Sequence, residues 1–442
     1  MGNSIIALAT PPLNGALAIL RLSGDDVFAI TDQLFSKPVS STKEKTILYG
    51  KLSDQGSPID YVILLVYPGP NTMTGEDVVE ICCHGSMLIV EQIVQAYLSR
   101  GVSYATRGEF SARAFYNGKM DLIEAESIND LINATTVEAK NLALLSLSGQ
   151  TSKLVAPLKE KIADLLALLE VNIDYPEYED IETIHNQEIE RRCHEIRTML
   201  ASLIAQGDEG KIIRNGVKVA LVGAPNVGKS SLLNALLEQE KAIVSDIPGT
   251  TRDIVEGELN VHGVAIHLLD TAGIRESEDG LESLGMERSK KSIEEADLVL
   301  LVLDAEKGID EEAKEILRQA KDKKVIIVYN KADLLSEKEE GVLYVSALTN
   351  DVSPLKEAIY ESLHLSNSSF ATPSFSNARE LAILRCIDEE LAAAEKDASN
   401  GISPDLLAAS LHRAYNLARS LLGEDPTQDL TDEIFSRFCV GK

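Results

Sequence analysis

The stretch that decides the fold is Gly223-Ala-Pro-Asn-Val-Gly228-Lys229-Ser230, which directly follows the predominantly apolar run 217–222. A helix-like run, 232–237, comes next, so the stretch joins a predicted strand to a predicted helix. In that context G-x-x-x-x-G-K-[ST] is typical of a phosphate-binding loop, whose glycines let backbone N–H groups wrap a phosphate. We expect Lys229 to reach the β- and γ-phosphates of a nucleotide and the Ser230 hydroxyl to ligate Mg²⁺.

The base of that nucleotide is indicated by Asn330-Lys331-Ala-Asp333, at the end of the apolar run 325–329. A carboxylate at Asp333 accepts hydrogen bonds from the N1–H and the N2 amine of guanine, whereas adenine has neither donor at those positions. The sequence Ser346-Ala347-Leu, which we expect to follow another short strand, supports the same assignment. Together with the phosphate-binding loop, these motifs predict GTP and GDP as ligands.

Two segments between these motifs complete the predicted site. Asp270-Thr-Ala-Gly273 follows the predicted strand 265–269, which lets its Asp reach Mg²⁺ through water and its Gly reach the γ-phosphate. Pro248-Gly-Thr-Thr251 offers a hydroxyl to the Mg²⁺, for which we choose Thr251. The next residue after Gly273 is Ile274, which cannot orient water, so another group must do so. No arginine is forced into the site by spacing, so the counter-charge must come from a partner, a dimer or a monovalent cation.

Changes in the hydrophobic pattern along the chain predict a multi-domain fold. Residues 1–118 alternate strand-like runs with turns and carry a helical run near 87–98, which indicates an α+β domain. Residues 119–215 and 366–442 carry helical periodicity, including the amphipathic runs 154–171 and 188–204. Between them, 216–365 reads strand, loop, helix, with short apolar runs typical of parallel strands buried on both faces. We therefore predict an all-α helical domain interrupted by an inserted α/β P-loop domain. Two separate helical modules are the alternative.

Composition places the chain among ordinary globular proteins. Its 442 residues carry 42 basic and 70 acidic side chains, and the net charge of −28 argues against broad, non-specific binding of nucleic-acid backbones. Five cysteines without metal or disulfide spacing favour a reducing cytosol, so we expect a cytoplasmic protein. The N-terminus lacks the basic region of a signal peptide, and no apolar run approaches the length of a membrane span.

The nucleotide motifs resemble those of the MnmE (TrmE), Era and Der group of GTPases. The flanking sequence resembles one family within that group, MnmE, from one end of the chain to the other. The segments similar to MnmE-family sequences are Thr10-Pro-Pro, Leu20-Arg21-Leu-Ser-Gly24, Gly75-Glu-Asp-Val-Val-Glu80, Arg107-Gly-Glu-Phe-Ser, Asn117-Gly-Lys119-Met-Asp and the terminal Phe438-Cys-Val-Gly-Lys442.

This resemblance implies a domain order and a reaction. It implies an N-terminal folate-binding and dimerisation domain at 1–118, and a helical domain at 119–215 and 366–442 with a GTPase domain inserted at 216–365. It also implies a GTP-hydrolysing enzyme that works in a heterotetramer with an FAD-containing, MnmG-like protein. Together they add an aminomethyl or carboxymethylaminomethyl group to C5 of the wobble uridine of certain tRNAs. A tetrahydrofolate derivative, 5-formyl- or 5,10-methylene-tetrahydrofolate, supplies the one-carbon unit.

The resemblance also implies roles for residues around the nucleotide. The catalytic glutamate of the family falls on Glu282, which becomes the favoured water activator. Mg²⁺ is assigned to Ser230 and Thr251. The potassium ion that supplies the counter-charge falls on Asn226, Ser245, Ile247 and Thr250. The expected GTP-binding residues are Gly223, Asn226, Val227, Gly228, Lys229, Ser230, Ser231, Ser245, Asp246, Ile247, Pro248, Gly249, Thr250, Thr251, Asp270, Thr271, Ala272, Gly273, Asn330, Lys331, Asp333, Ser346 and Ala347.

A folate site is implied in the same way. A guanidinium or an ammonium suits the glutamyl carboxylate of folate, and a carboxylate can hydrogen-bond a pterin edge. We expect the C-terminal tail to return to the N-terminal domain and to bring the Cys439 thiol near the one-carbon carrier. At this point Cys439 can be a nucleophile, a general acid or a packing residue, and Cys82-Cys83 is expected to lie in the core. The residues that match the family's folate site are Arg21, Glu80, Lys119 and Lys442.

Two other functions compete with this interpretation. A GTP-switched RNA-binding or ribosome-assembly GTPase, as in Era or Der, would carry a basic KH module with a GXXG loop after its G domain, or a second P-loop. The segment after residue 365 is acidic and helical with no such loop, and the sequence has one P-loop. A stand-alone folate-dependent aminomethyltransferase would leave the GTPase motifs unused. In the favoured interpretation the partner makes most of the contacts to the tRNA backbone, because acidic residues outnumber basic ones in all four segments.

Overall fold

The computed structural model describes residues 3–174, 185–238, 255–269, 290–366, 369–424 and 426–441. The chain divides into two compact units. The first comprises 1–129, 152–160 and 415–442, and the second comprises 130–151 and 161–414. Among the described residues, no helix is long and apolar enough to cross a membrane.

The first unit is built on a mixed β-sheet. Alternate side chains, such as Leu20 and Leu22 or Leu64 and Val66, are buried in its core, as the two-residue period of a strand requires. The strands are β1 (Ile5–Leu8), β2 (Leu17–Ser23), β3 (Thr46–Asp54), β4 (Ser57–Tyr67), β5 (Val78–His84) and β6 (Ser103–Tyr104). Their order is β3-β4-β5-β2-β1-β6, and neighbours are antiparallel except β1 and β6. An α+β architecture is therefore confirmed for this part.

Helices pack on both faces of this sheet: two contribute to the core around Leu20, and the third packs Phe110 against Ile5 and Ala7 of β1 on the other face. They are α1 (Val27–Asp32), α2 (Met87–Leu98) and α3 (Glu109–Tyr116). The bounds of α2 match the predicted helical run, and its buried Ile93, Val94 and Tyr97 follow the three-to-four-residue spacing of one helix face. The Tyr97 hydroxyl donates to Thr31 Oγ1 at 3.1 Å, which satisfies its polar atom in the core.

Four long helices follow in the chain: α4 (Leu122–Asn133), α5 (Val137–Leu147), α6 (Val155–Asp174) and α7 (Asn186–Asn215). Burial on α6 recurs at Leu158, Ile162, Leu165 and Leu169, which is the predicted amphipathic stripe. The helix predicted over 188–204 is longer in the structure, because α7 continues to Asn215 and leads directly into the next strand.

The predicted P-loop domain has a second sheet, made of β7 (Val217–Val222), β8 (Val255–Val261), β9 (Val264–Leu269), β10 (Leu298–Asp304) and β11 (Lys324–Asn330). Its order is β11-β10-β7-β9-β8, parallel except for the β8–β9 pair. Val219 of β7 belongs to one core and Ala220 to the opposite one, which confirms strands buried on both faces. Helices of this part include α8 (Lys229–Glu238), α9 (Glu311–Gln319) and α10 (Ser353–Ser362).

The chain ends in three helices, α11 (Ala378–Ser399), α12 (Pro404–Leu422) and α13 (Gln428–Ser436). Helix α11 packs on α7, so helical segments from before and after the P-loop sheet lie together. Arg197 of α7 joins Asp388 at 2.9 Å and Glu395 at 2.6 Å on α11. Gly207 allows the close approach, since an added Cβ there would lie 2.6 Å from the carbonyl oxygen of Phe375. This packing is what an interrupted helical domain requires.

Candidate functional site

The phosphate-binding loop lies between β7 and α8, as predicted. Two of its glycines have no room for a side chain. An added Cβ at Gly223 would lie 2.2 Å from the carbonyl oxygen of Val302, and one at Gly228 would lie 2.3 Å from Nδ2 of Asn330. Asn226 adopts a left-handed backbone with φ of 63°, which asparagine tolerates better than most residues. The backbone is therefore wound into the tight curve that a phosphate cradle needs.

Lys229 spans this loop. Its Nζ donates to the carbonyl oxygens of Gly223 at 2.7 Å and Ala224 at 2.9 Å. Burial lowers the pKa of Lys229, and the negative charge of Glu312 acts in the opposite direction. The exposed Ser230 follows in the first turn of α8, where backbone N–H groups and the helix dipole favour anions. These residues fit a nucleotide phosphate with its Mg²⁺.

Asn330 ties the phosphate-binding loop to the predicted base site. It is buried at the end of β11, and its Nδ2 donates to the carbonyl oxygen of Val227 at 2.9 Å. Its Oδ1 accepts from the backbone N–H of Ala347 at 3.2 Å. Both ends of the amide are thus used, and three motifs that are far apart in the sequence meet at one side chain.

Asp333 completes the base site. It lies in a 3₁₀ turn, Ala332–Leu334, and its carboxylate accepts from the Ser346 hydroxyl at 2.5 Å. The carboxylate is exposed, as a group that binds a base must be. The expected strand before Ser346 is wrong: Tyr344 makes only an isolated bridge to Tyr329, and the residues around it are loop. The bridge is nevertheless enough to align Ser346 with the end of β11.

Asp304 is a neighbour of this site that the sequence motifs did not predict. It ends β10, is buried, and its carboxylate lies 2.7 Å from Nζ of Lys331. Lys331 holds the pKa of Asp304 below its ordinary value, with burial acting in the opposite direction. The signal in the sequence was an acidic residue directly after the apolar run 298–303, at the sheet edge where α/β sites occur.

Part of the predicted nucleotide site falls outside the described residues. No cluster of three His, Cys, Asp or Glu side chains that could hold a metal occurs in the described ranges. The expected ligands of Mg²⁺ and K⁺ are instead hydroxyl, amide and carbonyl groups, and some of them belong to residues outside the described ranges. The predicted residues outside the described ranges are Ser245, Asp246, Ile247, Pro248, Gly249, Thr250, Thr251, Asp270, Thr271, Ala272, Gly273, Glu282 and, in the folate set, Lys442.

A second group of predicted residues meets in the first unit. Arg21 on β2 and Glu80 on β5 lie opposite each other, with Nη2 of Arg21 2.8 Å from Oε1 of Glu80. The guanidinium carbon of Arg21 lies 5.8 Å from the centre of the buried Phe110 ring, which is within the range of a cation–π interaction. Both charged side chains keep about a fifth of their surface exposed, 21% and 18%, which leaves them accessible to a ligand.

The C-terminal tail returns to these residues, which confirms its predicted destination. Val440 forms an antiparallel bridge with Arg107, and the carbonyl oxygen of Gly441 accepts from Nη1 of Arg21 at 3.2 Å. Gly441 has a φ of 91°, and an added Cβ would lie 2.5 Å from the carbonyl oxygen of Leu8. Cys439 is exposed within this segment, and its carbonyl oxygen accepts from the N–H of Gly108.

Other side chains near Arg21 and Glu80 define the character of the site. Burial and the charge of Glu80 raise the pKa values of Tyr67 and Cys82, so both stay neutral near pH 7. Cys83 is in the core as expected, whereas Cys82 is only partly buried. Lys119 reaches the loop that carries Met73 and Gly75, since an added Cβ at Gly75 would lie 2.9 Å from its Cε. Met73 itself contacts Arg21 through its sulfur at 3.6 Å.

The phosphate-binding loop, the Asn-Lys-x-Asp motif and the parallel sheet that joins them define a P-loop GTPase. Comparison with known proteins narrows the class. A family model for the MnmE helical domain matches residues 122–439, and one for the N-terminus of the GTP-binding protein TrmE matches residues 4–119. The chain belongs to the MnmE family of tRNA modification GTPases, and it is a GTP-hydrolysing enzyme.

Similarity to individual relatives extends over the full chain. The tRNA modification GTPase MnmE of Ligilactobacillus salivarius (strain UCC118) is 40% identical over 456 residues, which cover 100% of this chain and 98% of the relative. MnmE of Lactococcus lactis subsp. cremoris (strain MG1363) is 40% identical over 452 residues with the same coverage. A crystal structure of Era with MgGDPNP and part of 16S ribosomal RNA is 32% identical over 39% of this chain and 66% of that chain, with a TM-score of 0.27.

Proposed function

We propose that this chain couples GTP hydrolysis to modification of the wobble uridine of certain tRNAs, where an aminomethyl or carboxymethylaminomethyl group is added to C5. The observation that carries the proposal is that a chain of the MnmE family holds both a guanine-nucleotide site and the cluster of Arg21, Glu80 and Gly441. A GTPase that acted only as a switch would have no use for the second group, and an aminomethyltransferase alone would have none for the first.

In the nucleotide site, Lys229 binds the phosphates and Asp333 binds the guanine base. Ser230 and Thr251 would hold Mg²⁺, which neutralises phosphate charge when bound. Potassium would be held by Asn226, Ser245, Ile247 and Thr250, and it supplies the counter-charge that no arginine provides. The exposed, left-handed Asn226 supports its part in that set, because the turn presents its side chain outward. Glu282 is the residue that orients the attacking water.

In the second site, a tetrahydrofolate derivative supplies the one-carbon unit. Glu80 hydrogen-bonds the pterin edge, and Lys119 and Lys442 bind the glutamyl carboxylate. The partly exposed Glu80 and the position of Lys119 beside Gly75 support this arrangement. Cys439 is accessible in the docked tail, which favours a chemical over a packing role for its thiol.

The protein acts as a homodimer through its N-terminal domain and with an FAD-containing, MnmG-like partner in the cytoplasm. An exposed apolar patch on strands β3 and β4 supports a protein interface in this domain. Tyr49 and Tyr61 stack there with ring centres 6.3 Å apart and are 60% and 57% exposed. Ile47 and Ile63 flank them at 69% and 44% exposure. The acidity of the chain supports a complex in which the partner makes most contacts to tRNA.

The test is nucleoside analysis of tRNA from cells that lack this gene. We expect the modified wobble uridines to disappear, to return with the wild-type gene and to stay absent with the Lys229→Ala gene. Wobble uridines that stay fully modified in the deletion strain would contradict the proposal. Fully modified wobble uridines together with unprocessed ribosomal RNA would favour the Era-like or Der-like alternative instead.

A further inference from the structure

Lys331 occupies a strained backbone position between Asn330 and Asp333, at the proposed base site. It separates Asn330, whose amide bonds the phosphate-binding loop, from the 3₁₀ turn that carries Asp333. Its backbone is left-handed, with φ of 65°, a conformation that residues with a Cβ disfavour. On the two sides of this left-handed residue, Asn330 is buried and Asp333 is exposed.

The side chain of Lys331 is held at the neighbouring strand. Asp304 and Asn330 are paired across β10 and β11, so the two strands end side by side. Nζ of Lys331 then lies 2.7 Å from Oδ2 of Asp304. The Asp304 side chain is only 6% exposed and the Lys331 side chain 34%, so the ion pair is shielded on its acidic side.

Asp304 is itself held in one orientation. Its second carboxylate oxygen, Oδ1, accepts from the backbone N–H of Glu306 at 3.1 Å. Its carbonyl oxygen accepts from the N–H groups of Lys307 at 3.1 Å and Gly308 at 3.0 Å. The carboxylate is therefore aimed at Lys331 by a closed turn of its own, and its lowered pKa keeps it charged.

We propose that Asp304 is a positioning residue for guanine recognition, which acts by anchoring Lys331 so that the left-handed turn keeps Asp333 at its correct distance from Asn330. The inference rests on the guanine-nucleotide site proposed above. Asp304 makes no contact with the base in this scheme. Its effect passes through Lys331 to the Asp333 carboxylate, which takes both the N1–H and the N2 amine of guanine.

A positioning role for Asp304 changes how the site recognises the base and does not change how it binds the phosphates. Guanine offers Asp333 two donors, whereas hypoxanthine lacks the N2 amine and offers only one. A displaced Asp333 loses the second hydrogen bond first, so the preference for GDP over IDP reports directly on its position. General damage to the fold would instead lower the affinity for both nucleotides by the same factor.

The experiment compares the Kd values of GDP and IDP for full-length wild type and Asp304→Asn, which keeps the shape of the side chain and removes its charge. We expect the GDP-over-IDP preference of Asp304→Asn to fall at least fivefold relative to wild type. The matched control is Asp130→Asn, which removes the charge from another shielded pair, Asp130–Arg214 at 2.5 Å in the same unit. Its preference should stay that of the wild type.

Two results separate the possible failures. An unchanged GDP-over-IDP ratio in Asp304→Asn, or an equal loss in the control, would overturn the positioning role while leaving the nucleotide site intact. A wild-type chain that binds GDP no better than ADP would overturn the nucleotide site itself. Asp304→Glu, which restores the charge on a longer side chain, should recover part of the lost preference, and the absence of any recovery would count against the ion pair as the cause.

Discussion

Arg21 and Glu80 are joined through two nitrogens of one guanidinium: Nε and Nη2 each lie 2.8 Å from the same oxygen, Oε1 of Glu80. The third nitrogen, Nη1, donates to the carbonyl oxygen of Gly441 at 3.2 Å. Every nitrogen of Arg21 is therefore engaged inside the protein. This arrangement favours Arg21 as the residue that orients Glu80 and the C-terminal tail, with the lysines left to bind a ligand carboxylate.

Replacement of Arg21 by lysine tests this arrangement. Arg21→Lys keeps the positive charge but cannot hold Glu80 and Gly441 at once, because an ammonium lacks the planar fork. We expect the affinity for 5-formyltetrahydrofolate to fall about tenfold or more, the equivalent of one lost charged hydrogen bond. Isothermal titration of the full-length protein measures the change.

A matched control for that titration is Arg100→Lys, which alters the Arg100–Asp54 pair, 2.7 Å apart, on the same sheet domain. Its folate affinity should equal that of the wild type. Binding by Arg21→Lys within twofold of the wild type would show that the fork is dispensable.

The contact between the phosphate-binding loop and Asn330 requires a glycine at position 228, and an alanine substitution tests this requirement. In Gly228→Ala the new methyl group would lie 2.3 Å from Nδ2 of Asn330 and would push that amide away from Val227. We expect GDP affinity to fall by a factor of at least one hundred, because the loop and the base site share Asn330. Equilibrium binding of a fluorescent GDP derivative measures the loss.

Gly341→Ala controls for backbone strain in this comparison. Gly341 also has positive φ, 82°, but nothing lies within 4 Å of an added Cβ. It should destabilise the protein by a similar amount through its backbone and leave GDP affinity unchanged. Equal losses of affinity in the two variants would mean that strain, and not contact with Asn330, is responsible.

The Asp304–Lys331 pair predicts a pH dependence of stability. Lys331 lowers the pKa of Asp304 in the folded state. A carboxyl group with a lowered folded-state pKa stabilises the protein above its unfolded value of about 3.9, and that stabilisation is lost as the pH falls through the folded value. The difference in unfolding free energy between wild type and Asp304→Asn should therefore be greatest near pH 6 and shrink toward pH 3.

Urea denaturation at a series of pH values measures that difference. Asp322→Asn, which removes an exposed carboxylate from the same part of the chain, provides the comparison. A gap between wild type and Asp304→Asn that stays constant from pH 6 to pH 3 would exclude a charged Asp304 as the source of the stabilisation.

The local pattern of the sequence was sufficient for the phosphate-binding loop and for the strands around it. A strand such as β10 has a continuous apolar run because both of its faces are buried, and the glycines of the loop stand where no side chain fits. These signals lie within a few neighbouring residues. The strands of the first sheet were harder to predict from the sequence, because β3 exposes Ile47 and Tyr49 and has no clear division between apolar and polar faces.

Long-range contacts explain what the motifs alone could not predict. Asn330 was expected to bind a base, but its bond to Val227, 103 residues earlier in the chain, depends on how the sheet places the two loops. Asp304 was missed because an acid after an apolar run is common, and only the pairing of β10 with β11 brings it to Lys331. The strand expected before Ser346 reduces to a single bridge because the chain there turns at once into a loop.

The most direct test of the central claim, that guanine-nucleotide turnover at this site drives tRNA modification, changes the base that the site accepts. Asp333→Asn replaces an acceptor by an amide that can donate to O2 of xanthine, so this variant should use XTP in place of GTP. Desalted extract from cells that lack the gene is supplied with unmodified tRNA, purified protein, 5,10-methylene-tetrahydrofolate, FAD, ammonium, glycine and one nucleotide. Modified wobble uridine is then measured by mass spectrometry. We predict that the wild type modifies tRNA with GTP and not XTP, and that Asp333→Asn does the reverse. Modification that is independent of the nucleotide, or that follows GTP in both proteins, would contradict the account.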